Sequence, residues 1–119
     1  MKIIFIAGPV RGDGSLESKR KNIESARVLI RECITQGIPF YSPHLNVDQE
    51  SIEMIGDLGQ FAWNLNAEML RRSDALAVLP GFEDSVGTKK EISIATDSGK
   101  PVFYLPNDFA KIVSWLSES

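Results

Sequence analysis

"KIIFIAGPVRGDGS", residues 2 to 15, is the stretch on which the fold turns. Its first half, 2 to 7, is an unbroken apolar, β-favouring run, which is how a strand covered on both faces reads. Gly8-Pro9 closes the strand, and a polar, glycine-bearing loop leads into a helical pattern. From Leu16 to Gln36, Ile23, Ala26, Ile30 and Ile34 recur at helical spacing, and Gly37 with Pro39 supplies a stop. Strand, loop and crossover helix together predict the first unit of a parallel α/β sheet.

The same alternation continues outward. "IPFYS" (38–42) reads as a second strand ending at Pro43, and "HLNVDQESIEMIG" as a long loop with room for one helical turn, of the kind that often covers a site. Leu58, Phe61, Leu65 and Met69 mark a second helix, "DALAVL" (74–79) a third strand, and Ile92 with Ala95 a third helix over 88–98 ended by Gly99. "KPVFYL" (100–105) is the fourth strand, and Phe109, Ile112 and Leu116 give the closing helix one apolar face. The expected fold is α/β, a Rossmann-like parallel sheet of four to five strands flanked by helices, with right-handed connections. Ligand sites in such sheets lie beyond the carboxyl ends of the strands. The loops "GPVRGDGS", "SPHLN" and "PGFEDSVGT" all fall at those ends.

Bulk composition narrows the function. A chain of 119 residues, 43% hydrophobic and 24% charged, is expected to fold as a single domain over 1–119. A net charge of −3, with the only dense basic stretches, "SKRKN" and "RR" at 71–72, in helical patterns, argues against a duplex-DNA binder. Cys33 is the sole cysteine, which excludes an intrachain disulfide and a thiolate metal cluster and suggests a buried structural thiol. "IIFIAG" is too short to span a membrane and lacks a signal-peptide cleavage pattern, so a cytoplasmic location is expected.

The chemistry concentrates in "LPGFEDSVGTKKEIS" (79–93). Gly87 and Thr88 at a helix start offer unpaired amides and the positive end of the helix dipole, a natural seat for phosphate, to which Ser85 could add a hydroxyl. Glu91 lies three residues beyond Thr88 and could point back toward that seat. An alternative stays open: T-x-x-E is also a capping box, in which Glu91 would fold back onto the N–H of Thr88.

"GPVRG" after strand one, "SDALAVLPG" entering strand three and "SVGTKKE" leading into the next helix resemble, in that order, the nucleoside 2-deoxyribosyltransferase-like superfamily. Within it the chain is most similar to 2'-deoxynucleoside 5'-phosphate N-hydrolases and to small, often phage-encoded relatives, over roughly residues 2 to 105. "PGFEDSVGTKKE" is also similar to the PGG-x-GT-x-x-E motif of phosphoribohydrolases acting on nucleoside monophosphates. The resemblance implies that Glu91 is a nucleophile attacking the anomeric carbon, forming a glycosyl-enzyme ester as retaining glycosidases do. It implies that Asp74 serves the leaving base, against the alternative of an ordinary cap or turn acid after Ser73. Gly8, Pro9, Arg11 and Gly12 correspond to a phosphate-binding loop whose guanidinium would fork onto the anion, though a lone loop arginine can be merely solvated.

Ser85 stands six residues before Glu91, where the resemblance implies serine for the monophosphate hydrolases and aspartate for the transferases. An aspartate would repel a phosphate dianion and a hydroxyl can donate to it, but Asp84 is adjacent and a one-residue shift restores the transferase pattern. His44 is the only histidine and could meet the base, the phosphate or only loop backbone. Trp63 could line a pocket, with helix packing the more common role for an aromatic at that spacing. Two departures stand out. Phe5 occupies the position where the resemblance implies a tyrosine orienting the nucleophile, and Lys89 and Lys90 replace small or apolar residues. The resemblance further implies a homodimer, a nucleotide or nucleoside as partner, and neither metal nor organic cofactor. The competing functions are base hydrolysis, deoxyribosyl transfer and a catalytically silent nucleotide-binding module. A dinucleotide-dependent oxidoreductase is disfavoured because "AGPVRGDG" lacks G-x-G-x-x-G.

Overall fold

The computed structural model of the chain describes residues 1–10, 12, 14–46 and 59–118. Four parallel strands form one sheet: β1 (Ile4–Ala7), β2 (Phe40–Tyr41), β3 (Ala75–Val78) and β4 (Val102–Tyr104). Around it lie α1 (Leu16–Thr35), the short α2 (Pro43–Asn46), α3 (Gly59–Arg72), α4 (Val86–Asp97) and α5 (Phe109–Leu116). This is the Rossmann-like α/β sheet expected, at the lower end of the strand count.

The apolar runs at 4–7 and 75–78 become the two central strands, every residue of which is buried. Alternate side chains leave a strand on opposite faces. Ile4, Ile6, Ala75 and Ala77 therefore join a cluster with Ala26, Ile30 and Cys33 of α1 and Ile112 of α5. Phe5, Ala7, Leu76 and Val78 join a second cluster with Leu70 of α3 and Ala95 of α4. Each fully buried Ile, Leu or Phe contributes on the order of 1.5–3 kcal/mol, so two-sided coverage of the central pair dominates the fold's stability. Cys33 is buried as expected, and burial pushes its thiol up to about 11.

The stops are as read. Gly37 and Gly99 take left-handed φ of 70° and 73° just past α1 and α4, and the residue after each returns its N–H into the last turn, Ile38 to Cys33 and Lys100 to Ala95, each at 2.9 Å. The strands are shorter than the apolar runs: β2 keeps two residues of 38–42 and β4 three of 100–105. Pro39 and Pro101 have no N–H, so each joins the sheet only through its carbonyl, accepting from Ile4 and Leu76 at 3.0 Å. Pro43 begins α2, the one helical turn for which the expected loop had room; the rest of that loop, 47–56, and Leu58, expected in the second helix, lie outside the described residues.

Strand order is β2-β1-β3-β4. After β1 the chain moves to one side, and after β2 it crosses to the other, so the direction of winding reverses between β1 and β3. Loops leaving a sheet at such a point diverge and leave a crevice between them. The two loops concerned are those after β1 and after β3.

Candidate active site

A cleft of about 1230 Å³ opens at that crevice. Its floor and near walls come from Gly8, Pro9 and Gly12 after β1 and from the segment Leu79 to Thr88 after β3. Gly8 is obligatory there, because a Cβ would meet the Leu79 side chain at 2.7 Å. Two side chains fix the β1 loop from behind. Asn22 Nδ2 of α1 donates to the Val10 carbonyl at 3.1 Å, and His44 Nε2, at the start of α2, bonds the Pro9 carbonyl at 2.9 Å. A carbonyl only accepts, so His44 carries its proton on Nε2. Burial lowers the His44 pKa, with the Pro9 bond working in the opposite sense.

The start of α4 resolves the question of Glu91. Ser85, not Thr88, is the N-cap: its Oγ accepts from the Thr88 N–H at 3.3 Å and shares a hydrogen bond with Thr88 Oγ1 at 2.9 Å, while its carbonyl accepts from Lys89 at 3.1 Å. The helix thus begins at Val86, two residues before the expected 88, and Glu91 sits in its second turn, beyond reach of a capping box. The first N–H groups of a helix have no intrahelical acceptor, and no described residue accepts from Val86 or Gly87. Open space lies where a Gly87 side chain would be.

Glu91 lines the cleft, is only 8% exposed, and makes no hydrogen bond or ion pair with any described residue. Burial alone raises its pKa to about 7. Phe5, the residue in place of the implied tyrosine, is fully buried with its ring 5.7 Å from that of Tyr41, and supplies no hydroxyl to the carboxylate. A buried acid without a partner, facing a cleft, is a standard sign of a catalytic group.

Gly8, Pro9, Gly12, Ser85, Gly87, Thr88 and Glu91 are brought together around the cleft. Arg11 lies outside the described residues. Asp74 does not join them. It stands exposed before the amino end of β3, its carboxylate accepting from the Ile3 N–H at 2.8 Å, and five residues of extended chain at about 3.3 Å each place it roughly 16 Å from Leu79. The expectation that it serves the leaving base is corrected on that ground: it extends the β1–β3 pairing at the opposite edge of the sheet. His44 is buried behind the β1 loop, so of its open alternatives the bond to loop backbone is the one realised.

Among the polar cleft residues that escaped the sequence reading are Lys19, Asn22 and Ser25 of α1 and Asn66 of α3. Asn66 Oδ1 is buried with no hydrogen-bond partner among the described residues. Its signal was present, since an asparagine at 66 interrupts the stripe that runs from Trp63 to Leu70 on the inward face. Trp63 also lines the cleft, and the Lys90 ammonium lies 5.7 Å from its ring centroid.

Comparison with known proteins supports this architecture. Residues 2–104 match a domain of unknown function, DUF4406. The chain belongs to the DUF4406 family. No curated protein matches the sequence of this DUF4406 domain. Among solved structures it is similar to the 2-deoxyribosyltransferase of the psychrotolerant bacterium Bacillus psychrosaccharolyticus, with a TM-score of 0.55 and 21% identity over 86% of this chain and 70% of that one. The two share a fold, which is the fold that the motif order implied. Among the described residues of the DUF4406 domain no helix is long and apolar enough to cross a membrane, and no group of three His, Cys, Asp or Glu is placed to hold a metal.

Proposed function

We propose that the cleft cleaves the N-glycosidic bond of a (deoxy)nucleoside 5'-monophosphate, with Glu91 as the nucleophile. The observation that carries the reading is the isolation of the Glu91 carboxylate: buried, without a partner among the described residues, and facing a cleft whose rim is the open N-terminus of α4. A carboxylate oxygen attacks C1', the C1'–N bond breaks, and its electron pair leaves on the base nitrogen, which takes a proton from solvent. Water then attacks C1', the sugar–glutamate bond breaks, and free sugar 5-phosphate departs with the carboxylate regenerated. The phosphate sits against the N–H groups of Val86 and Gly87, where the helix dipole favours an anion. Lys19 of α1 also lines the cleft.

A second reading has its own support. Asp84 lines the cleft beside Ser85, and the Ser85 hydroxyl is already engaged in capping α4. An acid at that rim suits a free 5'-hydroxyl, and the fold is that of a 2-deoxyribosyltransferase. In that case the same Glu91 ester would be resolved by a second base, and the protein would be a nucleoside deoxyribosyltransferase. Both readings describe an enzyme that transfers a glycosyl group from a nucleoside or nucleotide; a silent binding module would keep the cleft without turnover.

The experiment is a panel of nucleosides and their 5'-monophosphates incubated with the protein and with Glu91→Ala, with free base followed by chromatography. Base from monophosphates alone supports hydrolysis of nucleotides. Exchange of base between nucleosides supports transfer. Binding without release from any member supports the module and rejects catalysis.

A further inference from the structure

The inner face of α3 presents a stripe to the cleft. Gly59, Ala62, Trp63 and Asn66 all line it, at spacings of three, one and three residues, which is one face of a helix. Along most amphipathic helices such a face is sealed against the core. Here its two large members are left open to the cleft, and both carry groups suited to a flat, polar ligand. Trp63 is half-buried, its indole steadied by the Lys90 ammonium from α4. Asn66 holds an amide oxygen that is buried and has no partner among the described residues, an arrangement that native structures avoid unless something else supplies the bond.

Position along the helices adds to this. α3 and α4 both follow a strand's carboxyl end, so both begin at the rim of the cleft and descend. Asn66 is the eighth residue of α3 and Glu91 the sixth of α4, so each lies about two turns down from the rim at 3.6 residues per turn. The Trp63–Lys90 contact, one residue before Glu91, ties the two helices together at that depth. The α4 amides, by contrast, are at the rim. A ligand with its anion at the rim and its reacting carbon at Glu91 has its remaining part beside α3.

We propose that Trp63 and Asn66 form the wall that receives the nucleobase, the indole stacking on the heteroaromatic ring and the Asn66 carboxamide bonding its polar edge. The inference rests on the nucleotide reading above and names the specificity-determining residues of that site. A carboxamide cannot act as a general acid, so Asn66 binds and orients the base and does not protonate it. It pairs with whatever edge offers a complementary donor or acceptor.

Calorimetric titration tests it, in a Glu91→Gln background that keeps the ligands intact. The probes are the four 2'-deoxynucleoside 5'-monophosphates and 2-deoxyribose 5-phosphate, which lacks a base. Nucleotides should bind more tightly than the sugar phosphate. Asn66→Ala and Asn66→Leu should narrow that gap roughly tenfold, and Trp63→Ala roughly ten- to a hundredfold, with Trp63→Phe restoring most of it. Affinity for the sugar phosphate should not change. Variants that weaken both ligands equally, or that leave the gap intact, overturn the proposal. Turnover of the panel by the unsubstituted protein is measured in parallel. A gap that depends on α3 without turnover leaves the base wall standing and rejects the hydrolase. Turnover with an insensitive gap does the reverse, and failure of every ligand to bind rejects both.

Discussion

The two edges of the sheet treat their polar groups in opposite ways. At the amino edge three charges close backbone groups: Lys2 donates to the Trp115 and Glu118 carbonyls at 2.6 and 2.9 Å, Asp74 accepts from Ile3, and Lys100 reaches the carbonyls of Arg71 and Ser73 at the end of α3. At the carboxyl edge Glu91, Asn66 Oδ1 and the first amides of α4 have no partner among the described residues. Asp74 and Glu91 are both acids beside a buried strand or helix, and residue type does not separate them. What separates them is whether the fold itself uses the charge. A group the fold satisfies contributes to stability; a buried group it leaves unsatisfied is held for something else.

That contrast can be broken most sharply at Glu91. Glu91→Gln should lower kcat/KM for base release by about a thousandfold or more while the melting temperature holds or rises, since the substitution removes a buried ionisable group and no native contact. A loss of folding instead would mean that the carboxylate is structural.

Next in size is the dependence on pH. The Glu91 pKa rises from 4.5 to about 7 on burial, so the folded state binds the proton more tightly than the unfolded chain. The associated stability is fully present below pH 4.5 and is lost as pH rises through about 7, a difference on the order of 3 kcal/mol. Denaturant titrations at pH 4.5 and pH 8 should show this decline, and Glu91→Gln should abolish it. Activity runs the other way, rising with pH through about 7 as the nucleophile ionises.

A smaller effect is expected at His44, which lies at the carboxyl edge but, like the amino-edge groups, is used by the fold, to hold the β1 loop. His44→Ala leaves the half-buried Pro9 carbonyl without its donor and should cost about 2 kcal/mol, with a raised KM, by chemical denaturation and steady-state kinetics. The smallest is at the amino edge. Asp74→Ala should cost about 1 kcal/mol through the lost Ile3 bond and leave kcat/KM within about twofold. A large loss of activity there would erase the distinction between the two edges.

Much of this was legible in the sequence because it depends on short-range pattern. Runs such as 4–7 and 75–78 are strands on any reading, and Gly37 and Gly99 end helices because they alone tolerate the left-handed turn. Their alternation specifies the parallel sheet and puts "PGFEDSVGT" at its carboxyl edge. The start of α4 was not legible. Ser85-x-x-Thr88 and Thr88-x-x-Glu91 are overlapping capping patterns three residues apart, and only the packed helix selects the first and frees Glu91. Asp74 was misplaced for a related reason: motif order brings it near strand three, but which end of the strand it occupies decides its role. Asn66 was missed although it breaks an apolar stripe, because the break alone does not tell whether neighbouring elements satisfy the amide. Such facts depend on contacts between distant segments, which local spacing does not encode.

The most direct test of the account is intact-protein and peptide mass measurement on enzyme quenched during turnover of a saturating 2'-deoxynucleoside 5'-monophosphate. The account predicts a deoxyribosyl phosphate ester on the peptide that holds Glu91, appearing with base release and absent from Glu91→Gln. Base release while that peptide carries no added mass, or an ester mapped to another residue, would contradict it.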